Sequence, residues 1–423
     1  MATHKHFAFR LLLAFVSISL CCPASRTSAI DQPHPIDATG VQIGSQAAAA
    51  DEDIGIITGL SAGAGEKSPR SDWTIQTVLN VPVSFPAVAL DAAGQPQIAF
   101  KDTHALDMKV TRYDGTAWQT DIIEDSGNPG NFAAIALDSN QLPHMAWDNY
   151  VTHNLRYGSY NGLARKIQNV AEWAWARYIS IYLDEKDYPH VSYSADSSDT
   201  IRYSWQDGKG WHQETVDTIR RDIWLDMAAD NSNQPHLVYQ TAPAAPYYLK
   251  YAWRDGSWHT EIVATSGYGP VAIALDASGL PHIIRYNMTS GLLEHFWKQA
   301  GTWQVAPVAF ASYGPISFSY DQHNHPHIVY TFLDGDIAQV SYATNPGSGW
   351  QVDVVAQGQA YAGALALDTN NSPWIVFAGL DGGTLQLARR ASQEFPSGPD
   401  PNPFAPPASP TPNHSGETDT PDN

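Results

Sequence analysis

The chain has 423 residues and a formal net charge of −20, from 43 acidic and 23 basic residues, and it holds only two cysteines. Such a balance repels polyanions, and with no basic stripe along the chain nucleic acid is not an expected partner. Because Cys21 and Cys22 both lie near the N-terminus, the remaining sequence offers neither a disulfide framework nor a thiolate metal site.

In chain order, residues 1–29 read as a signal peptide. Lys5 and Arg10 form the basic start, Leu11 to Leu20 the apolar core, and Thr27-Ser28-Ala29 a small-residue cleavage site. The apolar run is too short to span a bilayer, so no transmembrane segment is expected. A lipoprotein anchor at Cys21 is the alternative, disfavoured because the preceding residue is the bulky Leu20. Residues 30–70 are low in apolar periodicity and read as a linker, and residues 392–423, rich in Pro, Ser and Thr, read as a disordered tail. Secretion is the expected localisation, and a monomer the expected state.

Between these ends, residues 71–391 repeat. An Asp precedes a Pro by five residues seven times, at Asp91/Pro96, Asp138/Pro143, Asp184/Pro189, Asp230/Pro235, Asp276/Pro281, Asp321/Pro326 and Asp368/Pro373. A period of about 46 residues with four short strand-like segments per copy predicts an all-β fold, a seven-bladed β-propeller of four-stranded blades. We name the strands a to d from the axis outward. Strand a is apolar and small at its middle position (Ala89, Ala136, Ala228, Ala274, Ser319, Ala366), with Tyr182 the exception. The Asp-x-x-Gly/Asn-x-Pro segment between a and b predicts a turn whose carboxylate caps backbone amides. Strand d opens on a Trp in five copies, Trp118, Trp211, Trp258, Trp303 and Trp350, while the last copy has none and Trp73 precedes the first. The N-terminal strand is therefore expected to complete the last blade and close the ring.

With Asp114-Gly115 and Trp118, and Asp207-Gly208 and Trp211, at the c-to-d turns, the chain resembles sialidase-like, Asp-box-bearing (BNR-like) β-propellers and related propeller lectins. The Asp255-Gly256 copy is one residue short and the opening Ser or Thr of the box is not consistently placed. The resemblance implies the fold of residues 72–390 and carries over no catalytic residue.

Functional residues are sought where the repeat breaks. The aromatic four residues after each Pro is replaced in the fifth copy by Arg285, which implies either a ligand carboxylate as partner or a bulge that lets Tyr286 fill the slot. Copy two lacks a Trp strand and runs through Leu163–Val170 into Trp173, Trp175 and Arg177, and Ile219–Trp224 carries Arg220, Arg221 and Asp222. Strand direction places these on one face with Tyr268, Tyr313 and Tyr361 of later d-to-a connections and with Asp102, His104, Asp148, Tyr150 and His153 of b-to-c loops. Aromatic faces with planar donors suit sugar rings. Candidate ligand-binding residues are thus Trp173, Trp175, Arg177, Arg220, Arg221, Asp222, Arg285, His153, Tyr268, Tyr313 and Tyr361.

The function expected is extracellular, non-catalytic recognition of a glycan or cell-surface ligand. The alternatives are a hydrolase or lyase of acidic polysaccharide, with His153 or a mouth Tyr as acid/base and Arg177, Arg221 and Arg285 neutralising a substrate carboxylate, and a structural protein-interaction propeller. No catalytic residue, metal site or cofactor is assigned. The histidines after Pro (His144, His190, His236, His282, His327) are spread around the ring and are expected to bond to neighbouring turns or blades, and Asp334-Gly335-Asp336 offers oxygens to Ca²⁺ without other support.

Overall fold

The computed structural model describes residues 73–390 except 127, 220–223, 242–246, 359 and 380–382. Its described residues form seven four-stranded antiparallel sheets and no helix. In blade 1 the strands Val83–Leu90, Pro96–Asp102, Asp107–Tyr113 and Trp118–Glu124 pair in sequence order. Five further blades repeat this order, and the seventh joins Ala360–Leu367, Pro373–Gly379 and Thr384–Arg390 to Trp73–Leu79. The N-terminal strand thus closes the ring, running antiparallel to the last strand from Trp73 opposite Arg390 to Leu79 opposite Leu385.

The seven aspartates act alike. Each Oδ1 accepts the amides two and four residues on, as Asp91 does from Ala93 and Gln95 at 2.9 and 2.8 Å. The residue three on takes a left-handed conformation, which explains its restriction to Gly, Asn, Asp and Gln (φ 57–76°). In four of the five copies where that residue has a side chain, it also clasps the preceding blade: the Ala92 amide donates to Gln141 Oε1 at 2.6 Å, Ser139 to Asp187 Oδ1 at 2.8 Å, Ala277 to Asn324 Oδ1 at 2.9 Å and Gln322 to Asn371 Oδ1 at 3.2 Å.

Seven apolar clusters fill the spaces between blades. The six aromatics four residues after Pro (Phe100, Trp147, Tyr193, Tyr239, Tyr330, Phe377) are fully buried there. At the rim, the strand-d tryptophans bind backwards: the indole N–H of Trp258 donates to Glu214 at 2.9 Å and that of Trp303 to Glu261 at 3.0 Å. Blade 2 has no such Trp. Its outer strand, Arg165–Ala171, anchors instead through the Arg165 guanidinium, which donates to the Ile122 carbonyl at 2.6 Å. Tyr182, the bulky exception in strand a, stacks on His190 and donates its hydroxyl to the Asn233 carbonyl of the next blade, 3.0 Å away.

No helix among the described residues is long and apolar enough to cross a membrane. The leader, linker and tail expectations fall outside the described residues, except that the last blade's strand ends at Arg390.

Closure makes a stability prediction. Val78, in the closing strand, is buried with Val88, Phe100, Trp374 and Leu385, whereas Ile75 of the same strand faces solvent. Val78→Asp should destabilise by about 3 kcal/mol or more, since it buries an unpaired carboxylate, while Ile75→Asp should stay within about 0.5 kcal/mol. Urea unfolding of both variants checks this, and equal effects would contradict closure by this strand.

Candidate functional site

Strand direction puts the b-to-c loops and d-to-a connections on one face, and the a-to-b and c-to-d turns on the other. On the first face an aromatic collar follows the inner strands. Phe85, Phe132, Tyr178 and Trp224 stand at corresponding points of blades 1 to 4, with ring centroids 5.1, 4.9 and 4.6 Å apart in succession. Tyr313, from the connection between blades 5 and 6, meets Trp224 edge-on at 5.4 Å. Trp224 is buried by these contacts, so its role is packing, whereas Tyr313 keeps half its surface exposed.

Beside the collar lies an open aromatic patch built from two loops of blade 2. Asn149 caps the amides of Val151 and Thr152 and its carbonyl accepts the His153 amide, which turns the b-to-c loop back on itself. The following d-to-a connection is pinned to that loop: the Trp173 amide donates to Asn154 Oδ1 at 3.0 Å and the Trp175 amide to the His153 carbonyl at 3.1 Å. As a result the His153 and Trp175 rings stack at 3.7 Å, nearly parallel, with Trp173 at 5.7 Å from His153. Trp173 is 66% exposed, Trp175 46% and Tyr150 40%.

Three of these residues hold left-handed backbone: φ is 56° at His153, 53° at Trp173 and 50° at Trp175. Phe85 (41°) and Tyr178 (49°) in the collar do the same. Each such residue costs on the order of 1–3 kcal/mol. Among the described residues, every Phe, Tyr or Trp with positive φ is on this face.

Under the patch sits a charged cluster drawn from three blades. Asp148 is buried in strand b of blade 2, where Gly130 makes room: a Cβ at Gly130 would fall 1.8 Å from its carboxylate. Burial pushes the Asp148 carboxyl up to about 7, against the Phe132 amide and the charges of Lys101 and Arg177, which favour ionisation. Lys101 of blade 1 is also buried and is lowered by that burial, with the Asp148 charge opposing, and its Nζ lies 5.5 Å from the Tyr150 ring centroid. Burial, then the Asp148 charge, raises the Tyr150 phenol. Arg177 of blade 3 pairs with Asp196 at 3.0 Å. The arrangement offers stacking faces above a proton-holding carboxyl, an ammonium and a guanidinium.

Several expected residues lie elsewhere. Arg285 is buried and paired within its own blade, its Nη2 at 2.5 Å from Glu294 Oε2 and its Nη1 donating to the Ser266 carbonyl at 2.7 Å. Neither expectation for it holds: the partner is Glu294 rather than a ligand, and the register continues through Arg285 and Tyr286 without a bulge. Arg177, Arg221 and Arg285 were to be the three carboxylate-neutralising residues. With Arg285 so engaged, and Arg220, Arg221 and Asp222 outside the described residues, no triad is assembled among the described ones. Tyr268 is half-buried with its ring 5.5 Å from Tyr247, and Tyr361 is half-buried at the start of the last inner strand. Asp102 is a loop cap, bonded to the amides of His104 and Ala105 and to Lys109, and His104 is exposed.

Lys101 and Asp196 were not among the candidates. A signal for Lys101 existed: Lys101 and Asp148 occupy the same position, five after Pro, in adjacent copies, and only these two of the seven are charged.

On the opposite face, each histidine after Pro points one ring nitrogen at its own turn, with Nε2 3.5–3.7 Å from the aspartate. The other nitrogen meets a strand-c tyrosine, Tyr157, Tyr203, Tyr251 or Tyr342, except in blade 5, where His282 meets His295 at 2.9 Å. Asp334 and Asp336 sit on an exposed hairpin turn.

Solved structures share this fold at low identity. An ulvan lyase of polysaccharide lyase family 25, bound to -[GlcA(1-4)Rha3S]-, matches with TM-score 0.55 and 10% identity over 74% of this chain and 94% of that one. The polysaccharide lyase Uly1 matches at 0.50 with 9% identity, over 76% and 99% of the two chains. A catalytically inactive virginiamycin B lyase from Staphylococcus aureus, with quinupristin, matches at 0.50 with 6% identity, over 75% and 100%. No family model and no curated protein matches the chain.

The carboxyl of Asp148 can be read directly. Free aspartate titrates near 3.9, so between about pH 4 and 7 the folded state binds the extra proton and this group's contribution to stability falls as pH rises through that window. The Asp148 side-chain carboxyl resonance should titrate with a midpoint near 7 in carbon-detected NMR, and a midpoint near 4 would show the site to be solvated.

Proposed function

We propose that this propeller binds carbohydrate on the face formed by its b-to-c loops and d-to-a connections, with a sugar ring stacked on Trp173 and Trp175. The observation that carries this reading is that exposed indoles stand on left-handed backbone. Packing rewards that strain only in part, because Trp173 is largely exposed and Trp175, stacked on His153, still leaves nearly half its surface to solvent, and a strained backbone under exposed aromatic faces is characteristic of recognition surfaces. The repeated tryptophans differ in both respects: Trp211, Trp258 and Trp303 are partly buried and bonded between blades.

Charge narrows the ligand. At −20 overall, the chain disfavours long polyanions, while Lys101 and Arg177 at the patch are each accompanied by a carboxyl, Asp148 and Asp196. A neutral or sparsely acidic glycan fits this balance best. The apolar leader supports an extracellular location.

A second reading, cleavage of an acidic polysaccharide, draws on Asp148, a carboxyl poised near neutrality beside Tyr150 and Lys101. Sharing a fold with polysaccharide lyases agrees with it. An increase in ultraviolet absorbance from an unsaturated uronate product would establish it over binding alone.

Calorimetry against a glycan panel tests binding. The wild-type chain should bind at least one glycan saturably, and Trp175→Ala should weaken that affinity at least about tenfold, the scale of one lost aromatic stack, without lowering the melting temperature. Unchanged affinity in Trp175→Ala and Trp173→Ala would remove the patch as the site.

A further inference from the structure

The turn between strands a and b of blade 6 departs from the other six. It reads Asp321-Gln322-His323-Asn324-His325-Pro326-His327, with imidazoles at the second and fourth positions after the Asp. The matching pairs elsewhere are Ala93 and Gln95, Asn140 and Leu142, Lys186 and Tyr188, Ser232 and Gln234, Ser278 and Leu280, and Asn370 and Ser372. Both histidine amides are fixed by Asp321 Oδ1, at 2.9 and 2.7 Å, so that Oδ2 takes no backbone amide of the turn and meets the histidine side chains instead. Three imidazole nitrogens then surround Oδ2: His325 Nδ1 at 3.0 Å, His327 Nε2 at 3.5 Å and His323 Nδ1 at 3.8 Å.

We propose that Asp321, His323 and His325 form a binding site for a divalent transition-metal ion of the Zn²⁺ type. Ligands about 2.0–2.1 Å from a tetrahedral ion lie roughly 3.3 Å from one another, and the distances of 3.0 and 3.8 Å from Oδ2 bracket that value. One donor atom from each of the three residues lies within 4.8 Å of the other two. Two imidazoles and a carboxylate are the donors such ions prefer over Ca²⁺ or Mg²⁺.

A second observation points into the same site. His327 is 1% exposed, its Nδ1 is bonded to the Tyr342 hydroxyl, and its Nε2 points at Asp321 Oδ2 from 3.5 Å, the placement the other four histidines after Pro also take toward their aspartates. This is the placement of an outer histidine that steadies a ligating carboxylate. The site also borders a cleft of about 240 Å³ between blades 5 and 6, lined by His323 and His325 and by His282, His295, Trp297 and Trp350. Metal uptake would replace the hydrogen bond between His325 Nδ1 and Asp321 Oδ2 at 3.0 Å and the contact of Asn371 Nδ2 with His323 Nδ1 at 2.9 Å, the latter released by rotation of the exposed His323 ring.

The site lies on the face opposite the aromatic patch and stands independently of the carbohydrate reading. The full chain, stripped with a chelator and titrated with ZnCl₂ and CoCl₂, should take up one ion, and the Co²⁺ form should show the visible absorption of a low-coordinate site. His325→Ala and His323→Ala should each weaken uptake at least about tenfold, and neither removes the Asp321 cap that the turn needs. Failure of the wild-type chain to bind either ion at micromolar concentration, or equal uptake by the His323→Ala/His325→Ala double variant, would overturn the proposal.

Discussion

A blade of this protein is a sheet with two apolar faces, and neither can be left to water. Ala99, Met108, Trp147 and Tyr160 belong to one interblade cluster, Phe100, Val376 and Leu387 to another, so blade 1 contributes to both and is covered only when both neighbours are present. Seven such demands are met together only by a closed ring. The strand Trp73–Leu79, remote in sequence from its partner Thr384–Arg390, is what completes the last blade. The conserved geometry of the Asp turns, the interblade clasps from Gln141, Asp187 and Asn324, and the backward-reaching tryptophans all serve that circular arrangement.

What the ring does not require is informative for the same reason. The positions that recur around the ring are buried or bonded: the six Pro+4 aromatics in the core, the seven aspartates in their turns, the strand-d indoles at the rim. The positions that occur once behave differently. Trp173 and Trp175 stand in solvent on strained backbone, Lys101 and Asp148 place opposite charges at one repeat position of adjacent blades, and His323 and His325 gather around a single carboxylate oxygen. Recognition needs asymmetry, and here the asymmetry is concentrated in blades 1 to 3 on one face and blades 5 and 6 on the other.

The architecture was legible because its signal is repeated: blade number, strand order and closure follow from the Asp–Pro period and from one displaced Trp. The site was legible only where exposure follows from a broken pattern, as at Trp173 and Trp175. Arg285 misled because the sequence shows a cation in an aromatic slot but not Glu294, nine residues on in the facing strand, which answers it. The burial of Trp224 has no sequence signal because ring-to-ring packing around the axis depends on several blades at once. The His-x-His pair went unassigned because the histidine row was judged by its spread around the ring, while His323 and His325 share one turn. Left-handed φ at an indole has no sequence signature, since the residues that ordinarily adopt it are Gly, Asn and Asp.

The central claim is that repeated residues build the frame and unrepeated ones form the binding surface. Crystals of the protein soaked with short neutral and uronate-containing oligosaccharides test it most directly. Sugar density should lie against the Trp173 and Trp175 indoles, within reach of Tyr150 and Arg177. Density that instead occupied the rim beside Trp258 and Trp303, with the patch unoccupied, would contradict the account.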